Sequence, residues 1–363
     1  MIVAEVLSAI ESIAPAHLAF DWDHVGLQVG APDAEVTQGV TCLDLTLDKA
    51  QSLASKSVVV AHHPLIWNPL PEIRTDHLNG AVIAELIRKE CAFIAAHTNW
   101  DAASGGINDT LAARLGLTDV RTFGSSSPQK QFKVSTFLPS DSVEAVFEAA
   151  CNCGAGVIGE YSRCSFRTEG QGTFLGSSKT NPSIGQAERF EAIAETKLEF
   201  KVAAHLLAKV EAAIRRAHPY EEPAIDVAVL RDSASQSLGR IGSLPRPMPL
   251  LEFRDLADAH LETRSQVTGR PDQEIKRVAI VGGAAGDEFR AAHRAGADVF
   301  LTGEIKHHEL VEATQKGIAT IEAGHYATEH PGMEALSSRL SELLPTMNWK
   351  CLASEQGANG RSW

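Results

Sequence analysis

The chain has 363 residues, of which 44% are hydrophobic and 22% charged, and its formal net charge is −13. This composition is typical of a globular protein that is long enough for more than one domain. It excludes a membrane protein, because the sequence has no run of eighteen apolar residues, and it argues against a nucleic-acid surface, which requires clustered Lys and Arg.

The first segment, residues 3–13, carries acidic residues at helical spacing and lacks the basic start of an export signal. We predict an amphipathic helix here, and therefore a cytoplasmic protein. Six cysteines are too few for a disulfide framework in a chain of 363 residues. Cys151 and Cys153 form the one close pair in the sequence. Free thiols are the favoured interpretation, and a metal-binding pair is the alternative.

Strand-like and helix-like segments alternate over the next hundred residues. Strands are predicted at 39–44, 58–61 and 93–96. Helices are predicted at 47–56, 81–90 and 107–115, and a loop with two glycines at 22–30. This alternation predicts right-handed crossovers and a largely parallel sheet, with functional groups beyond the carboxyl ends of the strands.

A different pattern begins after Ser125-Ser126-Ser127-Pro128, a polar run rich in breakers. Strands are predicted at 131–138, 161–167, 173–175, 196–200 and 224–230, and helices at 142–151 and 205–217. Two helices among several strands are typical of a small ferredoxin-like α+β sandwich. A polar linker is predicted at 231–237. The sequence therefore predicts a first core lobe at 1–127, an inserted domain at 128–232 and a second core lobe at 233–363.

Strand–helix alternation resumes in the last part of the chain. Strands are predicted at 277–283, 299–303 and 318–322, and helices at 287–295, 307–316 and 328–344. The predicted fold class is α/β, with two facing strand–helix lobes that form one core around the inserted α+β domain. The glycine-rich turn at 282–286 is interpreted as a tight turn. A phosphate site at a helix N-terminus is the alternative, although the spacing differs from that of dinucleotide-binding motifs.

Potential metal ligands occur in both outer parts of the sequence. His62 and His63 follow one predicted strand, Asp101 follows another, and His325 and Glu329 stand four residues apart, as on one face of a helix. Singly, these could be ordinary turn or surface residues, but their joint occurrence at strand ends favours a site. The nitrogen and oxygen ligands suit Zn, Mn, Fe, Co or Ni.

Five ligands are too many for one catalytic zinc ion. They suit two divalent ions about 3.5–4 Å apart, with a carboxylate able to bridge them. The two ions bring more positive charge than the two carboxylates remove. We therefore expect an anionic substrate, such as a nucleotide or another phosphate ester.

Neighbouring residues leave alternatives open. His97, four residues before Asp101, is either a sixth ligand or a hydrogen-bond donor to one of the ligands. Glu304, Lys306 and His308 either support ligands and relay protons or form a solvated helix start. His97 and Glu304 are the candidates for catalytic proton transfer.

Several stretches in combination carry a family resemblance. They are Asp23-His24-Val25-Gly26-Leu27-Gln28-Val29-Gly30, His62-His63-Pro64, His97-Thr98-Asn99-Trp100-Asp101, Thr302-Gly303-Glu304 with His308, and Gly324-His325-Tyr326-Ala327-Thr328-Glu329. Together they resemble the NGG-interacting-factor-three-like family, whose bacterial members are commonly labelled GTP cyclohydrolase one type two homologues. One departure is His24, where the family usually has Asn.

The resemblance implies several properties. The implied metal ligands are His62, His63, Asp101, His325 and Glu329. The implied assembly is a toroidal homohexamer built as a trimer of dimers. The insertion, which contains His218-Pro219-Tyr220-Glu221-Glu222-Pro223, is similar to the CutA-like or PII-like module inside longer members.

Our leading hypothesis is a metal-dependent hydrolase in which the ions acidify a water molecule and His97 or Glu304 handles protons. The family label implies opening of the imidazole ring of GTP, and phosphoester hydrolysis fits such a site equally well. The alternative is a non-catalytic metal-binding scaffold or regulatory protein, whose inserted domain senses a small ligand or binds a partner.

Overall fold

The structure of the chain, a computed structural model, describes residues 1–126, 131–159, 161–230 and 237–353. It consists of two compact units, one formed by 1–127 with 235–363 and the other by 128–234. The boundary predicted at 125–128 and the linker predicted at 231–237 lie largely outside the described residues. Within those residues, every helix is too short or too polar to cross a membrane.

The helices and strands are numbered in chain order. The helices are α1 (Val3–Ile13), α2 (Leu47–Ser52), α3 (Leu78–Arg88), α4 (Thr98–Ala102), α5 (Ile107–Arg114), α6 (Val143–Cys151), α7 (Leu207–Ala217), α8 (Leu250–Leu261), α9 (Phe289–Arg294), α10 (His307–Lys316) and α11 (His325–Leu343). The strands are β1 (Gly26–Val29), β2 (Gln38–Cys42), β3 (Ser57–Ala61), β4 (Ala92–Ala95), β5 (Thr118–Ser126), β6 (Gln131–Leu138), β7 (Phe166–Leu175), β8 (Phe190–Ala203), β9 (Ile225–Val229), β10 (Ser237–Pro249), β11 (Gln266–Thr268), β12 (Glu274–Val281), β13 (Val299–Thr302), β14 (Ala319–Glu322) and β15 (Asn348–Leu352).

The first sheet has the strand order β1-β4-β3-β2-β15, and only the edge pairing of β1 with β4 is antiparallel. Every residue of β3 is buried, as expected for a central strand covered on both faces. The loop predicted at 22–30 is wrong in its second half, because Gly26–Val29 is a strand. Gly26 begins this strand and Gly30 follows it, with φ of 99° and 105°, and their loop-like signal hid the strand.

The second sheet has the order β11-β14-β13-β12-β10-β5. Strands β12, β13 and β14 are parallel, whereas β10, β5 and β11 add antiparallel neighbours. The sequence did not predict β5, β10, β11, β15 or helix α8. Strand β10 contains three prolines and two glycines, and a register shift between Ser243 and Met248 interrupts its pairing with β12, so its periodicity is broken.

In the first unit, each sheet includes one strand from the other half of the sequence. Strand β5 comes from the first part of the chain but completes the second sheet, and β15 comes from the last part but completes the first sheet. The two halves are therefore one unit with interlocked sheets. This exchange brings distant segments of the sequence to the same cleft.

The second unit has a four-stranded antiparallel sheet in the order β7-β8-β6-β9. Apolar residues of α6 and α7 share a core with β6 and β8. The strands predicted at 161–167 and 173–175 are instead one strand, β7, which is largely exposed and contains Gly170 and Gly172, so it lacks a continuous apolar alternation. The predicted α/β fold with an α+β insertion is confirmed.

Candidate metal centre

The five predicted ligands lie together in the first unit. His62 and His63 follow β3, Asp101 lies in α4 shortly after β4, and His325 and Glu329 occupy the first turns of α11. His62 Nε2 lies 3.5 Å from Asp101 Oδ1 and 3.7 Å from Glu329 Oε1. Glu329 Oε2 lies 3.3 Å from His63 Nε2 and 3.0 Å from His325 Nε2. The Glu329 carboxylate is therefore the centre of the cluster.

Local backbone structure fixes these positions. The amides of His62 and His63 donate to the carbonyls of Cys42 and Leu43 at 3.0 and 3.1 Å, which continues the pairing of β3 with β2 past the end of the strand. Gly324, with φ of 91°, turns the chain from β14 into α11. His325 and Glu329 then project from the same face of α11 because they are four residues apart.

The cluster contains two overlapping groups of potential ligands, and His97 belongs to one of them. The ligand atoms of His62, His63 and His97 lie within 4.8 Å of one another, and so do those of His63, His325 and Glu329. His63 belongs to both groups. The structure thus places His97 among the potential ligand atoms.

Each of the four histidines in the cluster makes a hydrogen bond from Nδ1 to an oxygen atom. The pairs are His62 with Ala96 O at 3.0 Å, His63 with Asp44 Oδ1 at 2.7 Å, His97 with Asp23 Oδ1 at 3.0 Å, and His325 with Glu304 Oε1 at 2.9 Å. A neutral imidazole that donates from Nδ1 carries its lone pair on Nε2. Carboxylates and carbonyls in this position are the usual partners of metal-binding histidines. The four Nε2 atoms are therefore oriented toward the cluster.

The cluster contains polar atoms that need partners. His62 Nε2, Asp101 Oδ1, His325 Nε2 and Glu329 Oε2 are buried and make no hydrogen bond to any described residue. An unsatisfied buried polar group costs about 1–3 kcal/mol, and more when it is charged. Nitrogen and oxygen atoms that converge in this way fit divalent transition ions. These residues could therefore hold metal.

The cluster lies in a cleft of about 950 Å³ that is lined by residues from both halves of the first unit. This volume is within the range of small-molecule sites. Lys306 and His308 are exposed at the start of α10, where His308 Nε2 lies 3.9 Å from Glu309 Oε1. Lys306 and His308 therefore agree with the interpretation of a solvated helix start. Glu304 instead supports a potential ligand, through its contact with His325 Nδ1.

Comparison with known proteins decides the family. Residues 1–359 match Duf34/NIF3 (NGG1p interacting factor 3). The chain belongs to the NIF3 family. It is 35% identical over 344 residues to a protein of Halalkalibacterium halodurans named GTP cyclohydrolase 1 type 2 homolog, and the match covers 93% of this chain and 92% of the relative.

Solved structures agree with this family assignment. A Bacillus cereus protein related to NIF3 matches with a TM-score of 0.80 and 34% identity over 98% of each chain. Staphylococcus aureus protein SA1388 matches with a TM-score of 0.76 and 28% identity over 98% of this chain and 97% of that one. The resemblance carried by the five stretches is confirmed.

Burial acts on both carboxylates of this NIF3-family site, with opposite results. It raises the pKa of Asp101 to about 7, and the charge of Glu329 adds to this rise. Burial also favours a higher pKa for Glu329, but the surrounding histidines, His62 first, outweigh it and hold that pKa well below its usual value. Glu329 is therefore the ionised member of the pair.

Two histidines are protonated when no metal is bound. Burial lowers the pKa of His63, but the carboxylates of Asp44 and Glu329 outweigh it and raise the pKa to about 10. Burial likewise lowers the pKa of His325, but Glu329 and Glu304 raise it to about 9. Protons thus supply in the metal-free site the positive charge that metal ions would supply.

Sequence reasoning missed two of the supporting acids, Asp23 and Asp44. Asp44 ends the strand predicted at 39–44, at the same sheet edge as His62 and His63, so its position was the available signal. Asp23 lies in a segment quoted for the family resemblance, but its contact with His97 depends on a turn that sequence spacing does not reveal.

The glycine turn after β12 packs directly against Glu329. Gly283 has a φ of 69°, and a Cβ atom on it would lie 2.1 Å from Glu329 Oε1. Its amide donates to Thr328 Oγ1 at 3.1 Å, which ties the turn to α11. The turn therefore supports a ligand, in agreement with the tight-turn interpretation.

We expect Gly283→Ala to displace the Glu329 carboxylate and weaken metal binding by roughly 10–100-fold, the range found when outer contacts of a ligand are lost. Competition with a chelating dye measures the affinity. Gly317→Ala is the matched control, because Gly317 also has a positive φ, of 76°, but a Cβ there meets nothing within 4 Å. Equal losses in both variants would attribute the effect to backbone strain and contradict the prediction.

Proposed function

We propose that this NIF3-family protein is a dinuclear metal-dependent hydrolase that acts on a nucleotide or another phosphoester. The proposal depends mainly on one observation: four histidines fixed at Nδ1 surround Asp101 and Glu329, each of which has one buried oxygen that makes no hydrogen bond to a described residue. The names of relatives such as the Halalkalibacterium halodurans protein support a nucleotide substrate.

The ligand set divides around Glu329. His62 and Asp101 would hold one divalent ion and His325 the other, while His63 belongs to both groups of ligand atoms. Glu329 has the position of a bridging carboxylate, within 3.7 Å of three histidine Nε2 atoms. Divalent ions at such a site supply Lewis acidity and a water molecule that ionises near neutral pH.

We propose His97 as the group that moves protons. Burial acts to raise the pKa of Asp23, but hydrogen bonds from His97 and Thr98 lower it below its ordinary value. The Asp23 carboxylate therefore stays ionised and holds the proton of His97 on Nδ1. His97 Nε2 is then free to accept a proton within the cleft, as a general base must.

The test is hydrolysis of GTP, GMP and a generic phosphodiester with added Mn²⁺ or Zn²⁺. Formate release would identify opening of the imidazole ring, and phosphate or alcohol release would identify phosphoester hydrolysis. Turnover that a chelator abolishes supports the proposal. A protein that carries its full complement of metal and shows no turnover would contradict it and favour the non-catalytic scaffold.

Metal affinity is expected to increase with pH. His63 and His325, with pKa values of about 10 and about 9, must each lose a proton before binding a metal ion. The affinity should rise by up to about tenfold per pH unit for each displaced proton and level off above these pKa values. The same raised values mean that these protonated histidines stabilise the metal-free fold fully below about pH 6.5, a contribution lost as the pH rises through 9 to 10.

Calorimetry in two buffers of different ionisation enthalpy counts the released protons directly. His308→Gln is a suitable control, because His308 is exposed and lies outside both ligand groups. Proton release should be unchanged in that variant. An affinity that is constant between pH 7 and pH 9 would show that the two histidines are already neutral.

We also propose the toroidal homohexamer that the family resemblance implies. The family match over residues 1–359 supports this assembly. Light scattering coupled to size exclusion should give a mass about six times that of the subunit. A monomer or dimer at micromolar concentration would contradict the proposal.

A further inference from the structure

Two exposed indole rings flank the cluster of potential metal ligands. Trp22 and Trp67 have 59% and 43% of their surface exposed, and both line the cleft. Each indole contacts the ring of His97 edge-on, with centroid distances of 6.0 Å for Trp22 and 5.2 Å for Trp67. Large aromatic side chains are usually mostly buried, so a pair this exposed beside polar ligands suggests a binding surface.

The Trp22 indole is held by the surrounding structure. Phe20 stacks parallel to Trp22 at 5.9 Å. The adjacent Asp23, whose side chain is fully buried, bonds to His97 Nδ1 at 3.0 Å and to the amide of Thr98 at 3.0 Å. Trp22 is therefore held by Phe20 and by the contacts of its neighbour Asp23, which also orient His97.

The segments that carry the two rings are also joined to each other. Gln28 donates to His24 O at 2.9 Å and to Ile66 O at 3.1 Å. Its amide oxygen accepts from Ile66 N at 2.9 Å. One side chain thus links the segment of Trp22 to the segment of Trp67. Such preorganisation reduces the entropy lost when a ligand binds.

We propose that Trp22 and Trp67 form a stacking wall for a planar heteroaromatic ring of the substrate, such as a nucleobase. This inference rests on the proposed function, because the reacting group of the same molecule would lie at the cluster of metal ligands. The wall contacts His97, whose ligand atom lies within 4.8 Å of those of His62 and His63, so one small molecule can reach both. Every base offers a π-face, so such a wall selects for a ring without selecting a particular base.

The experiment compares two ligands that share a sugar and a phosphate and differ only in the base. The dissociation constants of GMP and ribose 5-phosphate are measured by calorimetry on the metal-loaded full chain. We expect wild type to prefer GMP. Trp22→Ala and Trp67→Ala should each weaken GMP binding by about tenfold, a loss typical of truncating an aromatic under a base, and leave ribose 5-phosphate within about twofold. Phe at either position should restore most of the GMP affinity.

Leu78→Ala is the matched control. Leu78 lines the same cleft and is 69% exposed, but it has no π-face. The preference for GMP should survive this change. Equal affinities of wild type for the two ligands, or an unchanged preference in both tryptophan variants, would overturn the inference. A change in oligomer mass without a change in preference would also overturn it, since the rings would then contact another subunit.

Binding and turnover separate this inference from the proposed function. Trp-dependent GMP binding without any turnover would support the stacking wall and contradict the hydrolase. Metal-dependent hydrolysis with a GMP affinity that is indifferent to both tryptophans would support the hydrolase and contradict the stacking wall.

Discussion

Glu329→Gln is expected to remove most of the bound metal and to lower metal-dependent turnover by more than about a hundredfold, because loss of an outer partner alone costs about 10–100-fold. The amide keeps the shape of the side chain but loses the charge that His62, His63 and His325 share at 3.0–3.7 Å. Metal content per subunit from elemental analysis and initial rates from the phosphoester assay measure the two effects.

Two controls on neighbouring glutamates define the origin of that loss. Glu334→Gln changes the same helix at an exposed residue that pairs with Arg114, and it should leave metal content unaltered. Glu304→Gln removes the acceptor of His325 Nδ1 and should weaken binding by an intermediate factor of about 10–100. If Glu329→Gln kept wild-type metal content, the centre would have to lie elsewhere.

Trp100→Ala is expected to lower the free energy of unfolding by about 3–5 kcal/mol, as for other fully buried aromatic residues. Trp100 is completely buried next to the proposed ligand Asp101, and its Nε1 donates to Gly332 O in α11 at 3.1 Å. The substitution therefore leaves a cavity between segments that are 232 residues apart in sequence. Loss of this contact should also loosen the placement of Asp101 relative to Glu329.

Denaturation followed by tryptophan fluorescence measures this change in one unit alone. The five tryptophans of the chain all lie outside residues 128–234, so the signal reports the first unit. Leu78→Ala is the control, since truncation of a side chain that is 69% exposed in the same unit should change the free energy by less than about 0.5 kcal/mol. A similar small change for Trp100→Ala would mean that the two halves do not depend on this contact.

Periodic segments were predictable because burial imposes a pattern on them. The run Val58-Val59-Val60-Ala61 predicted a buried strand, and the structure has it in β3. Helix α1 agrees with its prediction at both ends, because Val3, Val6 and Ile10 form one apolar face. Strand β10 was not predictable in the same way, since its prolines and glycines remove the alternation that identifies a strand.

The sequence by itself determined the family and the α/β class and supplied the candidate metal ligands, because motif identity and apolar periodicity are local properties. Only the tertiary structure decided that Asp23, Asp44, Ala96 and Glu304 hold the four histidines at Nδ1. It alone decided that β5 and β15 exchange between the sheets, and that Gly283 packs against Glu329. These contacts join segments far apart in the chain, and their distances follow from packing, which sequence spacing does not encode.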